Sequence, residues 1–135
     1  MIPVKIRRLS IEDADELVGI IDNETAKLTR LNCPFTKTDA ENFIKLYNTY
    51  GVKYMYNDAL IGAFEIKSSG ETAYVVAKEW RNKGVCSQVL GLARRIAKRD
   101  LKINHLWCFI HPDNKASIRV AQKAGLEIKD VKKEI

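Results

Sequence analysis

Hydrophobic positions recur along this chain with two periods. In Val4 to Leu9, "VKIRRL", they alternate with charged ones, the pattern of a half-buried strand. Ser10 and Asp13 then form a helix-start pattern, and Leu17, Ile20 and Ile21 follow at helical spacing. A second short helix is predicted around Glu24 to Thr29, stopped before Pro34. "TDAE" at Thr38 to Glu41 is a capping-box pattern, opening a helix through Phe43, Ile44 and Tyr47 that is expected to end near Gly51.

Three strands follow: Val52 to Tyr56, Ala59 to Lys67 and Glu71 to Ala77. The turn signals Asn57-Asp58 and Ser68-Ser69-Gly70 separate them, which predicts an antiparallel meander. From Gly84 the period returns to that of a helix. Val85, Val89, Leu92, Ala93 and Ile96 make its apolar face, and Gln88, Arg94, Arg95, Lys98 and Arg99 lie mostly on the other. "HLWCFI" (His105 to Ile110) is expected as a buried strand, Asn114 caps a helix across Ile118, Ala121 and Ala124 that Gly125 stops, and "LEIKD" is a last strand. This order predicts an α+β (mixed α/β) layer fold with a right-handed crossover from Tyr74 to Ile110. "EWRNKGVC" then falls at the C-terminal edge of a central strand, where ligands tend to sit.

With 135 residues, 46% of them hydrophobic, and no repeat or linker, residues 1–135 are expected to form a single domain. The start "MIPVKIRRLS" lacks the apolar core of a signal peptide and no run reaches membrane-spanning length, so no membrane partner is expected. Three cysteines (Cys33, Cys86, Cys108) at unrelated spacings argue against a disulfide framework and against a zinc site. No metal is expected, and a cytoplasmic location fits best. The net charge of +6 favours an anionic partner or is simply a solvated surface.

"RNKGVC" could cradle phosphate. The first turn of a helix has backbone N–H groups without intrahelical partners, and its dipole adds positive charge. Gly84 would let an anion approach the backbone, with Arg81 and Lys83 at the rim. The alternative is an ordinary charged turn. Neither GxGxxG nor GxxxxGK[ST] is present, which argues against a dinucleotide fold or a P-loop NTPase.

About thirty residues further on stands "NKASIRVAQKAGLE". Together with "VVAKEWRNKGVCSQVL" it resembles the GNAT (Gcn5-related N-acetyltransferase) family. The motif (Q/R)-x-x-G-x-(G/A) is matched by Arg81, Gly84 and, with a substitution, Cys86; N-x-x-(S/A) followed by K-x-G-F is matched by Asn114, Ser117, Lys123, Gly125 and, conservatively, Leu126. Pro34-Phe35-Thr36 and Ile61-Gly62 resemble the RimJ/RimL-like branch. The resemblance implies a central twisted, mostly antiparallel sheet with a parallel, splayed strand pair, flanked by about four helices. It also implies an N-acetyltransferase that moves the acetyl group of acetyl-CoA, as cosubstrate, to a primary amine, either a protein N-terminus or a small-molecule amine. The cofactor-binding residues it implies are Val76, Ala77, Arg81, Asn82, Lys83, Gly84, Val85, Cys86, Ser87 and Asn114. Pyrophosphate would rest on N–H groups from Asn82 to Ser87, pantetheine would pair near Val76, and Asn114 would bond its arm. The protein would act as a monomer or homodimer.

Several positions depart from the family. Cys86 replaces a glycine or alanine and brings a thiol near the phosphate site. Ala121 stands where many members carry a tyrosine acid, leaving Ser117 as the nearest hydroxyl, and Phe109 stands where some carry a glutamate base. Only ten residues follow Gly125, so a final hairpin is expected to be short or incomplete. Candidate bases are Glu71, Glu65 and His111, each with a plainer role: Glu71 as a solvated turn residue, Glu65 facing solvent, His111 leading the Pro112-Asp113 turn. Strand parity groups Ile61, Ala63 and Glu65 against Gly62, Phe64 and Ile66, which turns Glu65 to a cleft or to solvent. Two alternatives stand beside the enzyme: a silent acyl-CoA-binding regulatory module, and a basic nucleic-acid-binding domain using Arg94, Arg95, Lys98, Arg99 and Lys102.

Overall fold

A computed structural model describes residues 1–27 and 31–130. Strand β1 (Val4–Arg8) is followed by a 3-10 turn (Ile11–Asp13) and the helices α1 (Ala14–Ile20), α2 (Asn23–Lys27) and α3 (Lys37–Leu46). Next come β2 (Asn48–Tyr54), β3 (Leu60–Ile66) and β4 (Thr72–Val76), then α4 (Val85–Ile96), β5 (Trp107–Ile110), α5 (Lys115–Lys123) and β6 (Glu127–Asp130). Among the described residues there are five α-helices, three of them before β2 as the hydrophobic pattern predicts. The predicted end of the second helix, Thr29, lies outside the described residues.

Strands β1 to β4 form one antiparallel sheet in sequence order, and β5 pairs with β6 in parallel. Between β4 and β5 the structure makes one parallel bridge, Glu71 to Trp107, and no other strand pairing among the described residues. Trp107 N donates to the Gly70 carbonyl at 3.1 Å and its indole Nε1 donates to the Ser69 carbonyl at 3.2 Å. At Gly70, with φ +92°, an added Cβ would lie 2.2 Å from the His105 carbonyl oxygen, so only glycine lets the two strands close here. Above that point they diverge into a wedge.

The sheet has a core on each face. On one, Val85, Val89, Leu90, Ala93 and Ile96 of α4 pack with Ile61, Phe64, Ile66, Cys108, Ile110 and Ala121. Leu90, not the expected Leu92, belongs to this face; Leu92 is half-buried. On the other, Leu9, Leu17, Ile21, Phe35, Ala40 and Ile44 cover Leu60 and Ala63.

Three local expectations are corrected. The third helix ends at Leu46, and Gly51 sits inside β2 opposite Arg7 and Ala63. Its capping box is Thr36 with Asp39, one overlapping copy of the pattern earlier than Thr38 with Glu41: Asp39 N donates to Thr36 Oγ1 at 3.2 Å and Thr36 N to Asp39 Oδ2 at 2.9 Å. Finally, the β2–β3 register steps from Val52–Gly62 to Lys53–Leu60, leaving Ile61 unpaired. This bulge moves Ile61 to the core of Phe64 and Ile66, away from Ala63 and Glu65.

Candidate active site

Alternation of hydrogen bonds along β4 decides what the wedge offers. Ala77 N donates to the Ile61 carbonyl and Lys67 N to that of Glu71, so residues 71, 73, 75 and 77 spend their backbone groups on β3. Those of Tyr74 and Val76 point the other way, into the wedge. The Val76 carbonyl is taken by Arg81 Nε at 3.0 Å, while the Val76 N–H and the backbone of Tyr74 remain turned to the gap.

The turn after β4 is fastened from beneath. Arg81 also donates from Nη2 to Thr25 Oγ1 at 2.8 Å and has Nη1 3.5 Å from Asp22 Oδ2, tying the strand end to the start of α2. Arg81 thereby acts as a clasp that closes the loop onto β4 and α2. Asn82 and Gly84 follow in left-handed conformation (φ +62° and +79°). Around Gly84 an added Cβ would meet no atom within 4 Å, so the turn is open to solvent above the first N–H groups of α4. Gln88 N is bonded to the Gly84 carbonyl at 3.2 Å, whereas Val85, Cys86 and Ser87 lie in the turn whose N–H groups a helix leaves over. Lys83 lies 5.4 Å from the centroid of the Trp80 ring, and Asn82, Lys83 and Ser87 are exposed. Cys86 packs against the main core, and burial pushes its thiol up to about 11. The thiol is protonated at neutral pH and lies half-buried beside the open turn.

Two cavities open into the wedge. One, of about 420 Å³, is bordered by Thr25, Arg81, Gly84, Cys86, Ser87 and Val120. The other, of about 280 Å³, lies towards α1 and α3 and is bordered by Leu17, Ile21, Phe35, Phe43, Glu65 and Val75. They share Tyr74, Val75, Asn114 and Ser117. Asn114 caps α5, its Oδ1 accepting from Ser117 N at 3.4 Å. The Ser117 carbonyl accepts from the Tyr74 hydroxyl at 3.1 Å, so a phenol crosses the wedge where the cavities meet. Burial pushes that phenol well above the ordinary tyrosine value.

Glu65 does not face solvent. It is 7% exposed, lies on the wall of the smaller cavity, and its Oε2 has no hydrogen-bond partner among the described residues. Thr49, directly across on β2, directs its hydroxyl to the carbonyls of Phe43 (3.0 Å) and Tyr47 (3.4 Å) instead. Desolvation therefore raises the Glu65 carboxyl to about 7. Glu71, the next candidate, is not a solvated turn residue: it pairs with Lys67 on the wall of the same cavity. His111 does lead the following turn, its Nδ1 accepting from Asp113 N at 3.0 Å, and it borders neither cavity. Ser117, Asn114, Glu65 and Glu71 are thus brought together, and His111 is not. Tyr74 was missed by sequence reasoning, although its place on "TAYVV", with a hydroxyl on the face of Phe64, was available as a signal.

In the proposed nucleic-acid stripe, Arg94 donates to the Gly125 carbonyl at 3.3 Å and Arg99 to Asp100 at 2.8 Å. No helix among the described residues is long and apolar enough to cross a membrane.

Residues 4–127 match the family model described as the acetyltransferase (GNAT) domain. No curated protein matches the chain. Among solved structures, the fold is similar to a crystal structure assigned as a phosphinothricin N-acetyltransferase (TM-score 0.79, 22% identity, 91% of this chain and 82% of that one). A GNAT-family acetyltransferase from Bacillus anthracis gives 0.75 at 20% identity over 93% and 81%. Spermidine N-acetyltransferase from Vibrio cholerae, solved with CoA and spermine, gives 0.75 at 16% over 90% and 79%.

Proposed function

Because this chain belongs to the GNAT acetyltransferase family, and is thereby an enzyme of acetyl transfer to amines, we propose that acetyl-CoA occupies the larger cavity and the acceptor amine the smaller one. The observation that carries this assignment is the meeting of the two cavities at Tyr74, Val75, Asn114 and Ser117, beside the unpaired edge of β4. The residues fit the donor. The open turn at Gly84 and the N–H groups of Val85, Cys86 and Ser87 suit a pyrophosphate, with Asn82 and Lys83 at the rim and Arg81 holding the loop. Buried Val76 and Ala77 end the strand whose inward backbone groups suit the amides of a pantetheine arm, as an added strand would. Asn114 stands at the other lip of the wedge.

Acetyl-CoA supplies a thioester whose carbonyl carbon is attacked by the amine; the new N–C bond forms as the C–S bond breaks. For this chain's residues, three tasks follow. Glu65, raised towards neutrality, takes the proton that the amine must lose, directly or through water. The Val76 N–H stabilises the negative charge that develops on the carbonyl oxygen. A hydroxyl at the junction, that of Tyr74 or Ser117, returns a proton to the leaving sulfur. Glu71 keeps Lys67 from pairing with Glu65.

Residues 1–135 act on this reading as one domain, in a reducing compartment such as the cytoplasm, consistent with the free thiols of Cys33, Cys86 and Cys108. Membership of the RimJ/RimL-like branch rests on Pro34-Phe35-Thr36 and Ile61-Gly62 and leaves the acceptor open, since loops choose acceptors. The test is acetyl-CoA binding followed by melting temperature, with thiol release measured over an amine panel. Stabilisation by acetyl-CoA should vanish in Gly84→Trp, whose side chain fills the open turn. A parent protein that acetyl-CoA leaves unchanged, or a Gly84→Trp variant that binds it as before, refutes the placement.

A further inference from the structure

The smaller cavity has a composition that restricts what it accepts. Leu17 and Ile21 form one wall, Phe35 and Phe43 another, and Val75 lies between them and the wedge. The two rings are 5.8 Å apart, centroid to centroid, and Phe43 meets Tyr47 in turn at 5.7 Å, the rings tilted by 49°. The charged side chains on the described walls are Glu65, Lys67 and Glu71. Lys67 and Glu71 offset one another, and Lys67 also covers the Tyr47 ring at 4.7 Å. What is left is the carboxylate of Glu65, more than nine-tenths buried, with an oxygen that meets no donor among the described residues. A buried carboxylate in that state is relieved by a proton or by a cation that arrives from outside.

Resting on the assignment of this cavity to the acceptor, we infer that the acceptor is a compact primary monoamine with an apolar, preferably aromatic, body. Its ammonium meets Glu65 and its body lies against Phe35 and Phe43. The volume, about 280 Å³, is at the lower bound of small-molecule sites and suits a small body. A polyamine would press further ammonium groups onto Leu17, Ile21 and Phe35, with Glu71 already engaged by Lys67. A peptide N-terminus would bring backbone N–H and C=O groups to the same walls, where the Thr49 hydroxyl is already committed to Phe43 and Tyr47.

The experiment titrates phenethylamine, spermidine and a short peptide with a free N-terminus into the full chain, each alone, by calorimetry. Acetyl-CoA is titrated separately, and thiol release is then compared for the three amines. Phenethylamine should bind at least about tenfold more tightly than either competitor, a difference of ~1.4 kcal/mol, and should be the preferred substrate. Glu65→Gln should weaken phenethylamine by about tenfold or more, while its neutral analogue 2-phenylethanol loses little. Spermidine or peptide binding as tightly as phenethylamine overturns the inference, as does an unchanged affinity in Glu65→Gln. Folding of the variant is checked by its melting curve, and Phe43→Leu provides a second variant that should lower phenethylamine affinity without touching the charge. Acetyl-CoA binding without amine discrimination refutes the acceptor class and leaves the donor site standing; amine discrimination without acetyl-CoA binding does the reverse.

Discussion

Replacing Glu65 by glutamine removes a carboxylate that the fold holds at a cost set by pH. Desolvation is the main cause of its raised value, the charge of Glu71 adds to it, and that of Lys67 pulls the other way. Because the folded value, about 7, exceeds the ordinary 4.5, the folded state binds this proton more tightly than the unfolded chain does. Below 4.5 both states are protonated and no penalty exists; between 4.5 and about 7 stability falls as pH rises, and above that the deficit levels off. At ~1.4 kcal/mol per pKa unit the full deficit is about 3 kcal/mol. Denaturant unfolding at about pH 5 and about pH 8 reads this directly, since the linear extrapolation gives the unfolding free energy at each pH. Glu65→Gln should be more stable than the parent by about 2–3 kcal/mol at the higher pH and close to it at the lower. On the proposed role of Glu65 as proton acceptor, acetyl transfer should nevertheless fall, stability being gained at the expense of function. A parent whose stability does not decline across this window would show the carboxylate to be hydrated or paired, and the assignment of Glu65 as proton acceptor would fail with it.

Other consequences concern single contacts. Asp13, held at about 2 chiefly by its side-chain bonds to Arg7, should contribute ~2 kcal/mol that is fully present above its ordinary value of 3.8 and lost as pH falls towards 2; Arg7→Leu should shrink that acid limb of the unfolding curve, leaving the part due to the bonds from Ser10. Tyr74→Phe should cost about 1 kcal/mol for the bond to the Ser117 carbonyl and lower kcat without raising KM for acetyl-CoA; an unchanged kcat assigns the proton return to Ser117. Cys86, at about 11 and half-buried, should react with iodoacetamide far more slowly than exposed Cys33, as peptide mapping of the alkylated protein would show.

The strand and helix order was legible because each segment keeps one hydrophobic period, and the open turn after β4 was legible because a glycine and a helix start announce it. The smaller cavity was not, since it is assembled from α1, α3, the loop before α3, β2 to β5 and α5, and no spacing within one segment reports which side chains meet. Glu65 illustrates the boundary. Strand β3 reads "LIGAFEI", six apolar or small residues around one carboxylate, and every one of its seven residues is buried. Such a run is what a strand covered on both faces looks like. Parity kept Glu65 with Ala63, apart from Phe64 and Ile66, as found, but it left cleft and solvent undecided, and the bulge takes Ile61 out of that set. The carboxylate in an otherwise apolar strand was therefore the stronger signal. A charge retained there costs stability, and that cost is explained if the cavity it faces receives a cation during the reaction. The same physical argument separates Glu65 from Glu71: both border the cavity, but Glu71 has Lys67 to balance it, and only Glu65 is left for a charge that arrives with the substrate.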